Sequence, residues 1–382
     1  MSPLRFVLLT LIRLTLNTAH RMIYPFLNVF ARGVGVEWTS LAALVANRAL
    51  FAASASFVFP FIETRGRRFG MLVGMGFFVI GMGIVALFPS LLMLGVALVF
   101  AVLAKGFFDP SLIAYLADHS SYQRRGLFTA LSEMAWSSSF ILGVPAMAFL
   151  IDRFGWRSPF AVLGSLGLVG LGLVAFLVRS SHVIEPHRDG GWGNLRHVLT
   201  DRTVLAALSI GLLASLANEL ISVMFGVWLE DAFGVRLATL AAAALVIGLS
   251  ELGGEGLVAA FSDRLGKVRA AGLGLLLNCL AALLLPWVGG TVVGALIGLF
   301  LFYISFEFTI VSQIPLMSEV MPRARATALA FNAAGQSLGR AAGAVIAPLL
   351  YPLFGFGAVT VVAILFNGLA LLAVRYVLDY HA

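Results

Sequence analysis

The sequence predicts an all-α membrane protein, with twelve transmembrane helices forming two pseudo-symmetric six-helix bundles. Three observations lead there. Of its 382 residues 60% are hydrophobic and 11% charged, with a mean hydropathy of +1.01, whereas a soluble domain carries about 25% charged residues. Too few polar groups remain to cover a water-facing surface, so lipid is the solvent for most of the chain. Apolar runs of about 20 residues, enough to cross a bilayer, recur along the whole length. The chain also repeats itself. Glu63-Thr64-Arg65-Gly66-Arg67-Arg68 is echoed by Asp263-Arg264-Leu265-Gly266-Lys267, Arg125-Gly126-Leu127 by Arg325-Ala326-Thr327, and Gly143 by Gly343, each two hundred positions later. Coincidences at one offset mark an internal repeat, and the repeat sets the architecture.

Taken in order, the spans are expected over 4–31, 38–61, 70–88, 91–116, 126–150, 159–178, 204–230, 237–261, 268–288, 291–315, 326–350 and 355–378. Proline and glycine mark the breaks, as at Phe88-Pro89-Ser90 and Pro286-Trp287-Val288-Gly289-Gly290. The first run is too long for a signal peptide and carries Arg13, Asn17 and His20, so it reads as a retained helix. From 179 to 203 the chain turns polar, with His182, Glu185, Pro186, Arg188, Asp189 and Gly190-Gly191. This is the expected linker between an N-terminal bundle (1–178) and a C-terminal one (204–382). Its end, Trp192 to Val198, has the pattern of a short helix lying on the membrane surface.

The basic residues fall on one side of this plan. Arg5, Arg65, Arg67, Arg68, Arg124, Arg125, Arg179, Arg188, Arg196, Arg202, Arg264, Lys267, Arg269, Arg323, Arg325 and Arg375 share a side; Arg32, Arg153, Arg157 and Arg236 lie opposite. By the positive-inside rule both termini and the linker are cytoplasmic, in a multi-pass protein of the cell inner membrane. The net charge of +7 is spent on these clusters, so no nucleic-acid partner is expected. Cys279 is the single cysteine, which excludes an intramolecular disulfide and a cysteine-based metal site. No cofactor is expected, and the protein is expected to be a monomer.

The two loop motifs resemble the Asp-Arg-x-Gly-Arg-Arg signature of major facilitator superfamily transporters, found between helices 2 and 3 and again between helices 8 and 9. Gly143-Val144-Pro145 through Leu150-Ile151-Asp152-Arg153-Phe154-Gly155-Trp156-Arg157 is similar to helix 5 and its exit in the drug and sugar efflux branch. Arg325-Ala326-Thr327-Ala328-Leu329 through Asn332-Ala333-Ala334-Gly335 resembles the start of helix 11 there. The sequence departs from the family pattern at Phe59, Thr64 and Val102. The resemblance implies a secondary transporter that works by alternating access, with efflux coupled to protons. It also implies a gating role for Glu63, Arg67, Arg68, Asp263, Arg264 and Lys267, whose charges can pair across the two halves or simply anchor the topology.

Ionisable groups inside spans cost about 2.5–3.5 kcal/mol each on insertion scales and usually face a bundle interior. In helix 1, Arg13, Asn17, His20 and Tyr24 recur at intervals of 4, 3 and 4 and share one face. With Arg48 of helix 2 and Asn332 and Gln336 of helix 11 they form the candidate substrate set. Arg21, near the outer end of helix 1, is placed to snorkel. Lys105 and Asp109 are one turn apart, in ion-pair geometry, and Glu133 opens helix 5 close to the loop arginines. The candidates for carrying protons are Asp109, Glu219, Glu251, Glu255 and Glu307, because burial of a carboxyl favours its neutral form. The first half is therefore cationic within its spans and the second anionic, which suits a small anionic or zwitterionic organic solute. The partners expected are this solute, protons and membrane lipid. Proton-coupled uptake is the alternative direction, and a non-transporting membrane receptor or assembly subunit the alternative class. No enzyme is expected, since His-Glu-x-x-His and Walker phosphate-loop signatures are missing and no Gly-x-Ser-x-Gly stands in a suitable setting.

Overall fold

Three pairs of glycines write the internal repeat into the backbone. In the computed structural model, which describes residues 3–55, 66–119, 128, 131–178, 198, 200–321 and 325–381, six glycines have positive φ. They are Gly35 (79°) and Gly234 (59°), Gly66 (95°) and Gly266 (80°), and Gly155 (82°) and Gly355 (71°). Members of a pair stand 199 or 200 positions apart. Only glycine enters this region at no steric cost, so the same turns recur at the same places in both halves.

Between these turns the described chain is helical, with no strand. The elements are α1 (Pro3–Arg21), α2 (Leu27–Val34), α3 (Trp38–Ala55), α4 (Arg67–Leu87), α5 (Leu91–Asp118), α6 (Ala135–Ser138), a π turn (Ser139–Gly143), α7 (Val144–Phe154) and α8 (Ser158–Leu177). There follow α9 (Arg202–Phe233), α10 (Leu237–Leu265), α11 (Lys267–Val288), α12 (Val292–Val320) and α13 (Arg325–His381). Among the described residues nine of these stretches are long and apolar enough to cross a membrane, with α6, the π turn and α7 counted together as Leu131–Phe154. Gly355 divides α13 into two arms. The second arm, the broken first span (α1 with α2) and α3 bring the total to twelve. The expected all-α architecture with twelve spans is the one observed.

The first span differs from its expected course. Rather than one helix over 4–31, α1 stops at Arg21, residues 22–26 form turns, and α2 resumes at Leu27. Pro25 is the cause. It has no N–H to give to the Arg21 carbonyl and its ring clashes with that carbonyl; Tyr24 donates to it instead, at 3.2 Å. The chain then reverses at Gly35, where α2 and α3 meet at 113°.

By contact the residues separate into two compact units. One gathers Met1–Leu44, Ser54–Pro186 and Leu237–Gly248; the other gathers Val45–Ala53, His187–Arg236 and Leu249–Ala382. In the first unit α4 packs on α5 and α8, and α1 packs on α5, α8 and the span of α6 and α7. In the second, α9 packs on α13 and α11 on α12. Close approach at repeated glycines sets these contacts. A methyl group on Gly143 would collide with Thr18 of α1, and one on Gly343 would lie 2.7 Å from the Leu216 carbonyl of α9. An ion pair repeats as well. Arg67 at the start of α4 meets Asp118 at the end of α5 at 3.5 Å, and Lys267 at the start of α11 meets Glu319 near the end of α12. The start of α9 is capped by Asp201, whose carboxylate accepts from the N–H groups of Thr203 (2.8 Å) and Val204 (3.1 Å), an arrangement typically contributing about 1 kcal/mol.

Candidate functional site

In the first unit four charged side chains from three spans converge. Arg13 of α1 donates through Nε to Asp109 of α5 at 3.2 Å, through Nη1 to Ser132 Oγ at 3.1 Å, and through Nη2 to Glu133 at 3.0 Å. Lys105, one turn before Asp109, donates to its other oxygen at 2.7 Å and also to Asn17 Oδ1. One carboxylate is thus shared by two cations, and one guanidinium by two carboxylates. The Arg13 side chain is 6% exposed and Asp109 16%, against 44% for Glu133, so the chain of charges runs from the interior to an accessible end. Charge-assisted bonds of this kind are the strong ones. Removing a partner from a buried ion pair costs about 3–5 kcal/mol because the other charge is stranded.

Beside this cluster lies a cation on aromatic rings. Arg21 is buried, with its guanidinium carbon 4.3 Å from the Trp136 ring centre and 3.5 Å from that of Phe140. Its Nη1 donates to the Trp136 carbonyl at 2.9 Å. The expectation that Arg21 snorkels is therefore corrected: α1 ends there, and the aromatic residues of α6 and the π turn capture the head group instead. Lys105 Nζ stands 5.0 Å from the same indole, and the His20 ring 6.1 Å from it. Asn17 is fully buried, and its amide nitrogen has no hydrogen-bond partner among the described residues. Tyr24 is buried in the turn that breaks the first span.

The second unit buries a set of acidic residues. Glu219 of α9, Glu251 of α10 and Glu307 of α12 are buried, and Glu255 is partly so. Gly254 lets α12 come so close to α10 that a methyl group there would lie 2.7 Å from Glu307 Cβ, and Gly343 brings α13 equally close to Glu219. The same unit also carries hydrogen bonds between neutral groups. Asn218 donates to Ser222 at 3.3 Å, Ser222 bonds the Tyr303 hydroxyl at 2.7 Å, Gln336 donates to Gln313 at 3.4 Å, and Gln313 to the Ala207 carbonyl at 2.9 Å. Asn332 is buried beside Gln313 at the position where Gly211 lets α9 approach. Arg48 is buried and lies in the segment of α3 that groups with this unit.

The structure therefore joins Arg13, Asn17 and Asp109 in one cluster, sets His20 at its edge, and assigns Arg48, Asn332 and Gln336 to the other unit. Of the loop residues, Arg67 and Lys267 make the ion pairs already described, Arg68 donates to the Ala175 carbonyl at 2.9 Å, and Arg264 is exposed. Glu63 lies outside the described residues, as do the side chain of Asp263 and nearly all of the polar segment 179–203. What the sequence could not reveal is the Arg13–Glu133 bond and the Arg21–Trp136 contact, each spanning more than a hundred positions; helical spacing sees only one helix at a time.

Known proteins share this architecture. The family model described as the Major Facilitator Superfamily matches residues 9–324 and 210–382. An MFS-type transporter of Bacillus subtilis (strain 168), YwfA, is 24% identical over 348 residues, covering 88% of this chain and 83% of its own. A POT family transporter solved with 5-aminolevulinic acid superposes with a TM-score of 0.79 at 14% identity, covering 99% of this chain and 96% of that one. The human organic anion transporter MFSD10 (TETRAN) does so with a TM-score of 0.71 at 18% identity, covering 98% and 100%. With twelve spans, a repeated backbone and a family match along nearly its full length, this chain is a membrane transporter belonging to the major facilitator superfamily.

Proposed function

We propose that this protein moves a small, carboxylate-bearing organic solute across the cytoplasmic membrane by alternating access, with export driven by protons. The observation that carries this reading is the buried cluster of Arg13, Lys105, Asp109 and Glu133 with the neighbouring Arg21–Trp136 contact. Such charges are costly in a span and are typical of solute and proton paths. Three cations stand against two carboxylates, which favours an anionic or zwitterionic guest, and the Trp136 face offers an apolar body something to stack on. The solved relatives bound to 5-aminolevulinic acid or named for organic anions agree in chemical class. Asp109 is the proton carrier in this unit. A proton on it weakens its bond to Arg13 and frees the guanidinium for the solute. Glu219, Glu251, Glu255 and Glu307 serve the same exchange in the other unit, where Arg48, Asn332 and Gln336 meet the solute's polar end. The two halves, 1–178 and 204–382, rock about the guest, and the loop charges release as they do so.

The test is flux in proteoliposomes, with 5-aminolevulinic acid and benzoate as zwitterionic and anionic probes. Loaded vesicles should lose probe faster when the outside is made acidic, and Asp109→Asn should abolish that acceleration. Accumulation of the probe inside under the same gradient would establish symport and refute export by antiport. Binding of a probe without any counterflow would instead mark a receptor.

A further inference from the structure

A groove lies open on the surface of the second unit. It is a cavity of about 450 Å³ between the last turns of α10 (Leu257, Phe261), α11 (Leu277, Leu284) and α12 (Ile304, Phe308). Its lining contains one polar side chain, Ser305, whose hydroxyl is spent on the carbonyls of Leu301 and Phe302 at 2.8 and 2.9 Å. The floor is therefore dry and without unmet hydrogen bonds. Along α11 the lining runs from Leu273 to Leu284, about 16 Å at 1.5 Å per residue. That is roughly half the ~30 Å hydrocarbon core, the depth of one leaflet.

The charged end of this groove is distinctive. Arg264 adjoins the lining residue Leu265, and Arg269 precedes Leu273 by one turn on the same face of α11. Both arginines are exposed, and neither is bonded to a described residue, whereas Lys267 between them is held by Glu319. The repeat separates these roles. Lys267 has a counterpart in Arg67, which makes the same kind of ion pair, but Arg264 and Arg269 correspond to Thr64 and Phe69. Neither the repeated turn nor its ion pair needs these two cations.

We propose that the groove binds one acyl chain of an anionic phospholipid, whose phosphate rests on Arg264 and Arg269. An apolar slot one leaflet deep, ending in two outward cations at the level of the head groups, matches such a lipid in length, polarity and charge. Lipids of this charge attract juxtamembrane arginines, and the slot adds a fixed seat for the tail.

The test uses the full chain in nanodiscs with a tryptophan reporter in the groove, Leu277→Trp, and Leu301→Trp as a second reporter on the opposite wall. Quenching is measured with chain-brominated phosphatidylglycerol and chain-brominated phosphatidylcholine. The anionic lipid should quench with an apparent affinity about fivefold or more above the zwitterionic one. The preference should vanish in Arg264→Gln/Arg269→Gln and persist in Arg153→Gln/Arg157→Gln, which removes exposed arginines elsewhere. Equal quenching by the two lipids would reduce the site to ordinary lipid contact and overturn the proposal. A preference that survives loss of Arg264 and Arg269 would overturn it too, and so would a groove that neither lipid quenches, which would then belong to an apolar solute.

Discussion

Ser132, Trp136 and Phe140 in one half and Asn332, Gln336 and Arg340 in the other stand two hundred positions apart, in the same register as Gly143 and Gly343. Their backbones do the same work, since each glycine brings its helix against the first helix of its own half. Their side chains do not. In the first half aromatic rings from this helix receive a cation, Arg21, that α1 supplies. In the second half the helix carries the cation itself, as Arg340, beside two amides. The ion pairs at Arg67 and Lys267 repeat like the glycines, while the charges of the Arg13 cluster do not, since Leu213, Ser305, Thr309 and Ala333 stand two hundred positions after Arg13, Lys105, Asp109 and Glu133. Duplication thus kept the scaffold and let the interior diverge, one half carrying the Arg13 cluster and the other a set of amide and hydroxyl hydrogen bonds beside its glutamates.

The contrast can be broken most severely at Arg13. Arg13→Met should strand Asp109 and Glu133 and cost about 3–5 kcal/mol, read as lost stability in denaturant unfolding in detergent micelles. Gln313→Met, which removes the link between Gln336 and Ala207, should cost about 1–3 kcal/mol for the amide and carbonyl it leaves unmet. Equal losses would mean that the two interiors are held alike. A smaller effect sharpens the scaffold side of the comparison. Gly143→Ala and Gly343→Ala should each cost about 1–3 kcal/mol through overpacking. Thr18→Ala should recover part of the first loss because Gly143 meets a side chain, whereas Leu216→Ala should recover none of the second because Gly343 meets a backbone carbonyl. The smallest expected effect is at the aromatic platform: Trp136→Leu should cost about 0.5–2 kcal/mol, with weaker stabilisation of the protein by benzoate in a thermal-shift titration.

Much of this was legible in the sequence for a physical reason. Lipid permits few polar residues, so each one that persists inside a span is conspicuous, and a repeat announces its own turns. The Lys105–Asp109 pair was visible because both residues sit on one helix, one turn apart. Glu133, placed by sequence near the loop arginines, bonds Arg13 from another helix, a relation that spacing along one chain does not encode. The break in the first span was written at Pro25, but a long apolar run hides a single helix breaker. Arg21 near a helix end is ordinarily a snorkelling residue; only the aromatic rings brought over it from a distant span make it an interior one.

The π turn at Ser139–Gly143 has a consequence for how such a helix tolerates change. An α-helix advances about 100° per residue, and a π turn accommodates one residue more than the regular spiral would. Upstream of it, Trp136 is aimed at Arg21; at its end, Gly143 is aimed at Thr18. Deleting one residue from this stretch would restore a regular spiral and turn everything beyond it by about 100°, so that the aromatic face and the glycine face could no longer both meet α1. The wide turn works as a phase adjuster, and length at this point of the chain is held as tightly as residue identity.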